Sequence, residues 1–269
     1  MQLSAKQGTA SLLSVNDPDV SRTLNPDSTS PLLLVCDHAS NRVPEKLDNL
    51  GLDEASLSRH IAFDKGSAAV AERVSADLGC SAVLCNFSRL VIDCNRKVGD
   101  PTLMPPVSDD VFVPGNQNLT EVERAARYDD IYVPYHDAIT NELNRLEDQV
   151  QGPAIIAIHS FTPQLEGGDW RPWDVGVLWD KDSRIASPLL EYLRADSDLC
   201  VGDNEPYSGK HPADYTIDFH GEERGIPCVS IEIRQDLLST QAGIEGWARR
   251  LIGFFKEFEK NRDVFTKLQ

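Results

Sequence analysis

Pro153-Ala154-Ile155-Ile156-Ala157-Ile158-His159-Ser160-Phe161-Thr162-Pro163 runs an unbroken apolar stretch straight into an imidazole. A continuous Ile/Ala run suits a strand buried on both faces, as in parallel sheets, and not the alternation of a sheet with one wet face. Open α/β sheets hold ligands at the carboxyl ends of such strands, so His159 is a candidate metal ligand. A histidine there also serves as a hydrogen-bonded structural residue. The choice depends on what else reaches the same edge of the sheet.

Two further apolar runs end in reactive chemistry. Pro31-Leu32-Leu33-Leu34-Val35-Cys36-Asp37-His38-Ala39-Ser40-Asn41 delivers an Asp-His pair into a small polar turn. Ile226-Pro227-Cys228-Val229-Ser230-Ile231-Glu232-Ile233-Arg234 carries a carboxylate inside a hydrophobic strand, with no cation before Arg234. An ionised carboxylate in such a strand needs a charge partner or a raised pKa, and a hydrolytic general base needs that raised pKa. The plainer alternative is an edge strand that exposes Glu232 and Arg234 on one polar face.

A catalytic zinc takes three protein ligands from His, Glu and Asp and leaves a fourth position for water. His38 and His159 supply two. Asp37, Glu45 and Asp64 are candidates for the third. Asp37 neighbours His38, so on an extended strand it points to the other face and orients rather than ligates. Glu45 follows Pro44 at a helix start, where the helix dipole favours an acid for ordinary reasons. Asp64 precedes a helix with Val70, Val74 and Leu78 on one face, and could be that helix's N-cap.

The rest of the chain fits one α/β domain. Strand-like runs at 31–36, 81–86, 153–159, 174–179 and 226–233 alternate with helical patterns at 65–79, 121–148, 184–195 and 240–260. Thr120 and Glu123 form a capping box for the longest helical region, which Pro134 should break or kink. Residues 1–30 are polar, read as an N-terminal arm without a signal-peptide core, leaving 31–269 as the domain. No internal repeat or Pro/Gly/Ser linker divides the 269 residues.

The formal charge of −17 argues against nucleic acid or an anionic membrane as partner, because both would be repelled. It also gives weight to the arginines near the candidate site, Arg89, Arg96 and Arg171. No apolar run approaches the length of a membrane span. Six cysteines without CxxC spacing read as buried reduced thiols, which points to the cytoplasm. Cys36 and Cys228 lie near proposed site residues, yet neither has an electropositive neighbour to make it a nucleophile. His136 reads as structural, and His60 and His211 carry no pattern.

Taken together, five segments resemble the N-formylglutamate amidohydrolase family, and more distantly the zinc carboxypeptidases. They are Cys36–Asn41, Ser88-Arg89-Leu90-Val91-Ile92-Asp93-Cys94-Asn95-Arg96, Ile158–Pro163, Arg171-Pro172-Trp173 and Ile231–Leu237, within a match over roughly residues 31–240. The resemblance implies a three-layer αβα domain of the phosphorylase/hydrolase-like type, with a mixed, mostly parallel sheet and about one zinc per chain. It places Asp64 as the acidic ligand beside His38 and His159, with Asp where the carboxypeptidases have Glu and a long insertion before it. It also implies Glu232 as general base and Arg89 as an aid to the oxyanion. Asn95 and Arg96 would clamp a substrate carboxylate, since a planar guanidinium grips one bidentately. Tyr215 and His220 would line the pocket.

The implied activity is removal of a formyl or similar small acyl group from an acidic amino acid, N-formyl-L-glutamate to formate and glutamate, in histidine degradation. A carboxypeptidase-like or broader N-acyl-amino-acid hydrolase on the same site is the enzymatic alternative. A non-catalytic protein that holds a small carboxylate with its arginines is the other.

Overall fold

The computed structural model describes residues 11–150, 152–210 and 214–267. In chain order the strands are β1 (Ser21–Leu24), β2 (Leu32–Cys36), β3 (Ser81–Cys85), β4 (Val107–Ser108), β5 (Val111–Phe112), β6 (Ala154–Phe161), β7 (Val175–Leu178), β8 (Val201–Asp203) and β9 (Cys228–Arg234). The helices are α1 (Glu54–Leu57), α2 (Ser67–Leu78), α3 (Glu121–Arg127), α4 (Val133–Gln149), α5 (Ala186–Arg194), α6 (Tyr215–His220) and α7 (Gln241–Phe258).

One sheet of order β1-β3-β2-β6-β9-β7-β8 forms the centre, with β4 and β5 a separate hairpin. The four middle strands β3, β2, β6 and β9 are mutually parallel. β1 and β7 join antiparallel, and β8 runs parallel to β7. All five expected strand regions are present in this mixed, mostly parallel sheet. Every residue of β2, β3, β6 and β9 is buried, as their unbroken apolar runs require.

Alternation along β2 divides the core into two layers. Leu32, Leu34 and Cys36 face α2, α5 and α7, while Leu33 and Val35 face the side of α4 and α6. Each fully buried aliphatic side chain contributes about 1.5–3 kcal/mol relative to exposure, so the faces that the helices offer fix the layers. Val70 and Val74 of α2, and Leu251 and Phe255 of α7, are fully buried at four-residue spacing.

The sequence missed two local features. Residues 21–24, expected within a polar arm, instead form edge strand β1 against β3. Ser21-Arg22-Thr23-Leu24 shows no hydrophobic period; the ladder holds it, together with Arg22 bonded to Asn86 and Glu72. The arm's first ten residues lie outside the described part. In the long helical region, Thr120 makes the expected capping box with Glu123. The expected break takes the form of a π-turn, Tyr128–Tyr132, with Val133 N–H bonded to the Tyr128 carbonyl. The widened turn lets Pro134, which has no N–H to give, begin α4.

Candidate active site

Three parallel strands empty into one place. β2 ends at Cys36 and passes Asp37 and His38 into the turn, β6 carries His159 near its end, and β9 carries Glu232 in register beside His159. The fourth contributor arrives on a loop. The Asp64 N–H donates to the His38 carbonyl at 3.0 Å, and the Ser160 N–H donates to Asp64 Oδ2 at 3.3 Å. The chain then turns into α2 through Gly66 at φ +82°, where a Cβ would sit 2.4 Å from Leu238 Cβ. Gly66, not Asp64, is the N-cap of α2, which leaves the Asp64 carboxylate for the site.

His38, Asp64 and His159 are all buried, and their ligand atoms lie within 4.8 Å of one another. Asp64 Oδ2 is 2.8 Å from His159 Nδ1 and 3.3 Å from His38 Nδ1. Each imidazole turns its other nitrogen to a second carboxylate. His38 Nε2 is 2.7 Å from Asp93 Oδ1, and His159 Nε2 is 3.1 Å from Asp37 Oδ2, off the line of a hydrogen bond. Those carboxylates are themselves fixed. Tyr135 and Thr216 hydroxyls each donate to Asp37 Oδ1 at 2.8 Å. Asp93 accepts from Arg89 Nη2 at 2.7 Å and from the Asn95 N–H at 2.9 Å.

This donor set fits a divalent cation. A metal-bound histidine usually gives its far nitrogen to a carboxylate, and both histidines here have one. Charge balance agrees. Asp37, Asp64 and Asp93 are three buried carboxylates, and among the described residues Arg89 is the permanent cation that pairs with Asp64 and Asp93, so neutral imidazoles leave the cluster about two positive charges short. Burial pushes Asp37 upward, but the adjoining His159 and the hydroxyl donor hold it at about 2. Asp64 is likewise held low, against burial, by the two imidazoles.

Glu232 is the electrostatic opposite. It is buried, its Oε2 has no hydrogen-bond partner among the described residues, and burial pushes its pKa up to about 7. The nearby carboxylates of Asp64 and Asp214 push the same way, against the imidazoles. It is therefore not the exposed edge-strand acid of the plainer alternative: β9 is a central strand.

A cavity of about 170 Å³ opens on Glu232 and Asp64, with Arg89, Asn95, Arg96 and Tyr207 among its walls. Of the expected residues, His38, Asp64, His159, Glu232, Arg89, Asn95 and Arg96 are brought together. Asn95 Oδ1 accepts the Thr216 N–H at 2.9 Å, and Arg96 Nη1 donates to the Asn95 carbonyl at 2.9 Å, so the pair is held as a unit. Arg89 spends Nε and Nη2 on Asp93, leaving Nη1 toward Asp64.

Two of the expected residues lie elsewhere than on this cavity's wall. Tyr215 and His220 are not among the residues that line it. Tyr215 stacks on Phe219, and His220, fully buried, bonds His136 through Nε2 at 2.9 Å. Both lie on α6, whose first turn reaches the site through the Thr216 backbone N–H and hydroxyl. His136 is structural as expected, its Nε2 meeting the Cys94 carbonyl at 3.0 Å. Glu45 is remote from the site, bonding Ser14 and Asn16. Cys36 and Cys228 are buried, with thiols pushed up by burial, Cys36 to about 12, which disfavours a thiolate nucleophile. His211 lies outside the described residues.

Sequence reasoning gave no role to Asp93, Tyr207, Asp214, Thr216 or Tyr135. Asp93 alone had a signal, an acid four residues after Arg89 between apolar positions. Arg171 acts through Tyr207, donating to its hydroxyl at 2.9 Å with its guanidinium 4.9 Å from the ring.

An α/β sheet that gathers two carboxylate-backed imidazoles, an acidic donor and an isolated buried glutamate at its strand ends is organised as a hydrolase site. The particular family follows from comparison. The chain belongs to the N-formylglutamate amidohydrolase family, whose model matches residues 30–239. It is similar to the N-formylglutamate deformylase of Pseudomonas putida, 25% identical over 222 residues that cover 76% of this chain and 80% of that one. Among solved structures, a gene product of Agrobacterium tumefaciens is 34% identical with a TM-score of 0.87, over 91% of this chain and 97% of that one. The N-formylglutamate amidohydrolase of Ralstonia eutropha JMP134 shares the fold, with a TM-score of 0.71 at 18% identity over 91% and 99% of the two chains.

Proposed function

We propose that this chain hydrolyses the formyl amide of N-formyl-L-glutamate, or of a closely similar N-acyl amino acid, to formate and the free amino acid. The observation that carries the reading is Glu232: a buried carboxylate with an unpartnered oxygen, level with His159, in a family named for this reaction. His38, Asp64 and His159 would hold one zinc ion through His Nδ1 and the Asp64 carboxylate. Bound there, zinc would acidify a water and polarise the amide carbonyl. Glu232, poised near 7, takes the proton from the attacking water and delivers it to the leaving nitrogen. Asp37 and Asp93 orient the imidazoles, and Arg89 keeps Asp93 ionised while presenting Nη1 toward the site. Asn95 and Arg96 receive the substrate carboxylate on the cavity wall. The absence of a helix long and apolar enough to cross a membrane, among the described residues, is compatible with a cytoplasmic place in histidine degradation.

Metal content and formate release test the reading together. The purified chain should hold about one zinc and release formate from N-formyl-L-glutamate, lose both on chelation, and regain both with zinc. Bound zinc without release would move the substrate to another N-acyl compound. Neither metal nor release after zinc addition would leave a carboxylate-binding protein.

A further inference from the structure

The cavity that holds Glu232 shares Arg89 and Arg96 with a neighbouring cavity. At about 170 Å³ it is smaller than the ~300 Å³ at which small-molecule sites usually begin. Arg89 and Arg96 also line a second, half-open cavity of about 340 Å³, together with Asp93, His60, Ile61, Thr102, Pro105, Val107 and Leu165.

The walls of this second cavity are fastened. The β4–β5 hairpin turns through Asp109 and Asp110 at φ 42° and 61°, as a two-residue turn of the primed type demands. Asp109 then gathers three segments with one nearly buried carboxylate. Its Oδ2 accepts from Arg59 Nη2 at 2.7 Å, and its Oδ1 accepts from the Glu166 N–H at 2.9 Å. The hairpin, the 59–61 segment and the 162–168 loop are thereby held as a preorganised surface, which lowers the ordering cost of binding. Val107 and Leu165 lie partly exposed on it, 52% and 38%, although both are apolar. Exposed apolar groups that converge on a concavity beside cations are the composition of a ligand subsite.

The chemistry of the substrate says what belongs there. The α-carbon of an N-acyl amino acid carries the scissile nitrogen, the carboxylate and the side chain. With the amide at Glu232 and the carboxylate on Asn95 and Arg96, the second cavity, which shares Arg89 and Arg96, lies beside the substrate's side chain. We infer that this cavity is a side-chain subsite, and that the substrates of the site include N-acyl amino acids with side chains larger and more apolar than that of glutamate. The inference rests on amide hydrolysis at Glu232 as proposed above.

The test is kcat/KM of the zinc-loaded full chain for N-formyl-glycine, N-formyl-glutamate, N-formyl-leucine and N-formyl-phenylalanine, with calorimetric binding of the product amino acids alongside. Leucine and phenylalanine compounds should exceed glycine at least tenfold and match or exceed glutamate, with product affinities in the same order. Val107→Trp and Leu165→Trp, which place an indole in the cavity from partly exposed positions, should each lower the phenylalanine-to-glycine ratio at least tenfold. Turnover of N-formyl-glutamate with no gain for larger side chains, or a ratio unmoved by both tryptophans, overturns the subsite and leaves amide hydrolysis standing. No formate from any of the four overturns amide hydrolysis, and the subsite with it.

Discussion

Glu232→Gln separates the chemical role of this carboxylate from its structural cost, because glutamine keeps the shape and removes the charge. A carboxyl moved from an ordinary 4.5 to about 7 by burial disfavours the ionised folded state by about 3 kcal/mol. The sign follows from linkage. The folded pKa lies above the unfolded one, so no penalty exists below about pH 4.5; it grows as pH rises toward 7 and is complete above 7. Chelated Glu232→Gln should therefore match the chelated parent near pH 4.5 in denaturant unfolding, and exceed it by up to about 3 kcal/mol at pH 8. Activity should move the opposite way. A positioned general base contributes roughly 10²–10⁴-fold, so formate release should fall by that factor, about 3–5 kcal/mol in barrier, while zinc content stays near one per chain. In the parent, kcat/KM should climb with pH through about 7 as Glu232 ionises. Formate release within threefold of the parent in Glu232→Gln would refute the base assignment. An unfolding difference independent of pH would refute the burial argument.

Four other outcomes bear on the same site. His159→Ala should lose both zinc and formate release, read by elemental analysis and turnover. Asp93→Asn should keep the ligands but weaken zinc binding about 10–100-fold in a chelator competition, because the charged acceptor that orients His38 becomes a neutral, weaker one. Arg96→Ala should raise KM for N-formyl-glutamate roughly 10–100-fold, the worth of one charge-assisted contact, with a smaller change in kcat. Gly66→Ala combines a left-handed φ with overlap onto Leu238 and should cost more than about 1 kcal/mol in unfolding; a neutral result would mean the Asp64 loop is not held as described.

Local pattern was enough to locate the strands that meet at the site and most of the residues they carry. Unbroken apolar runs can hide only in a sheet covered on both faces, and a polar residue that ends or interrupts such a run has to have a use. That is why His38, His159 and Glu232 were legible one by one, and why local pattern also revealed the Thr120 capping box. Tertiary structure alone decided how they combine. The nearness of Asp64, and not Glu45, to the two histidines depends on a loop that returns to the His38 carbonyl and turns at Gly66, which no periodicity encodes. The placing of Asp93 and Asp37 behind the imidazoles depends on contacts across 55 and 122 positions of chain. The surroundings of Tyr215 and His220, which meet Phe219 and His136, have the same origin: which side of a short helix meets the cavity is set by packing against β6 and β9. Strand identity is a local matter of which side chains tolerate water. The site is a matter of which distant segments share one buried, charge-balanced space, and only the folded chain makes that choice.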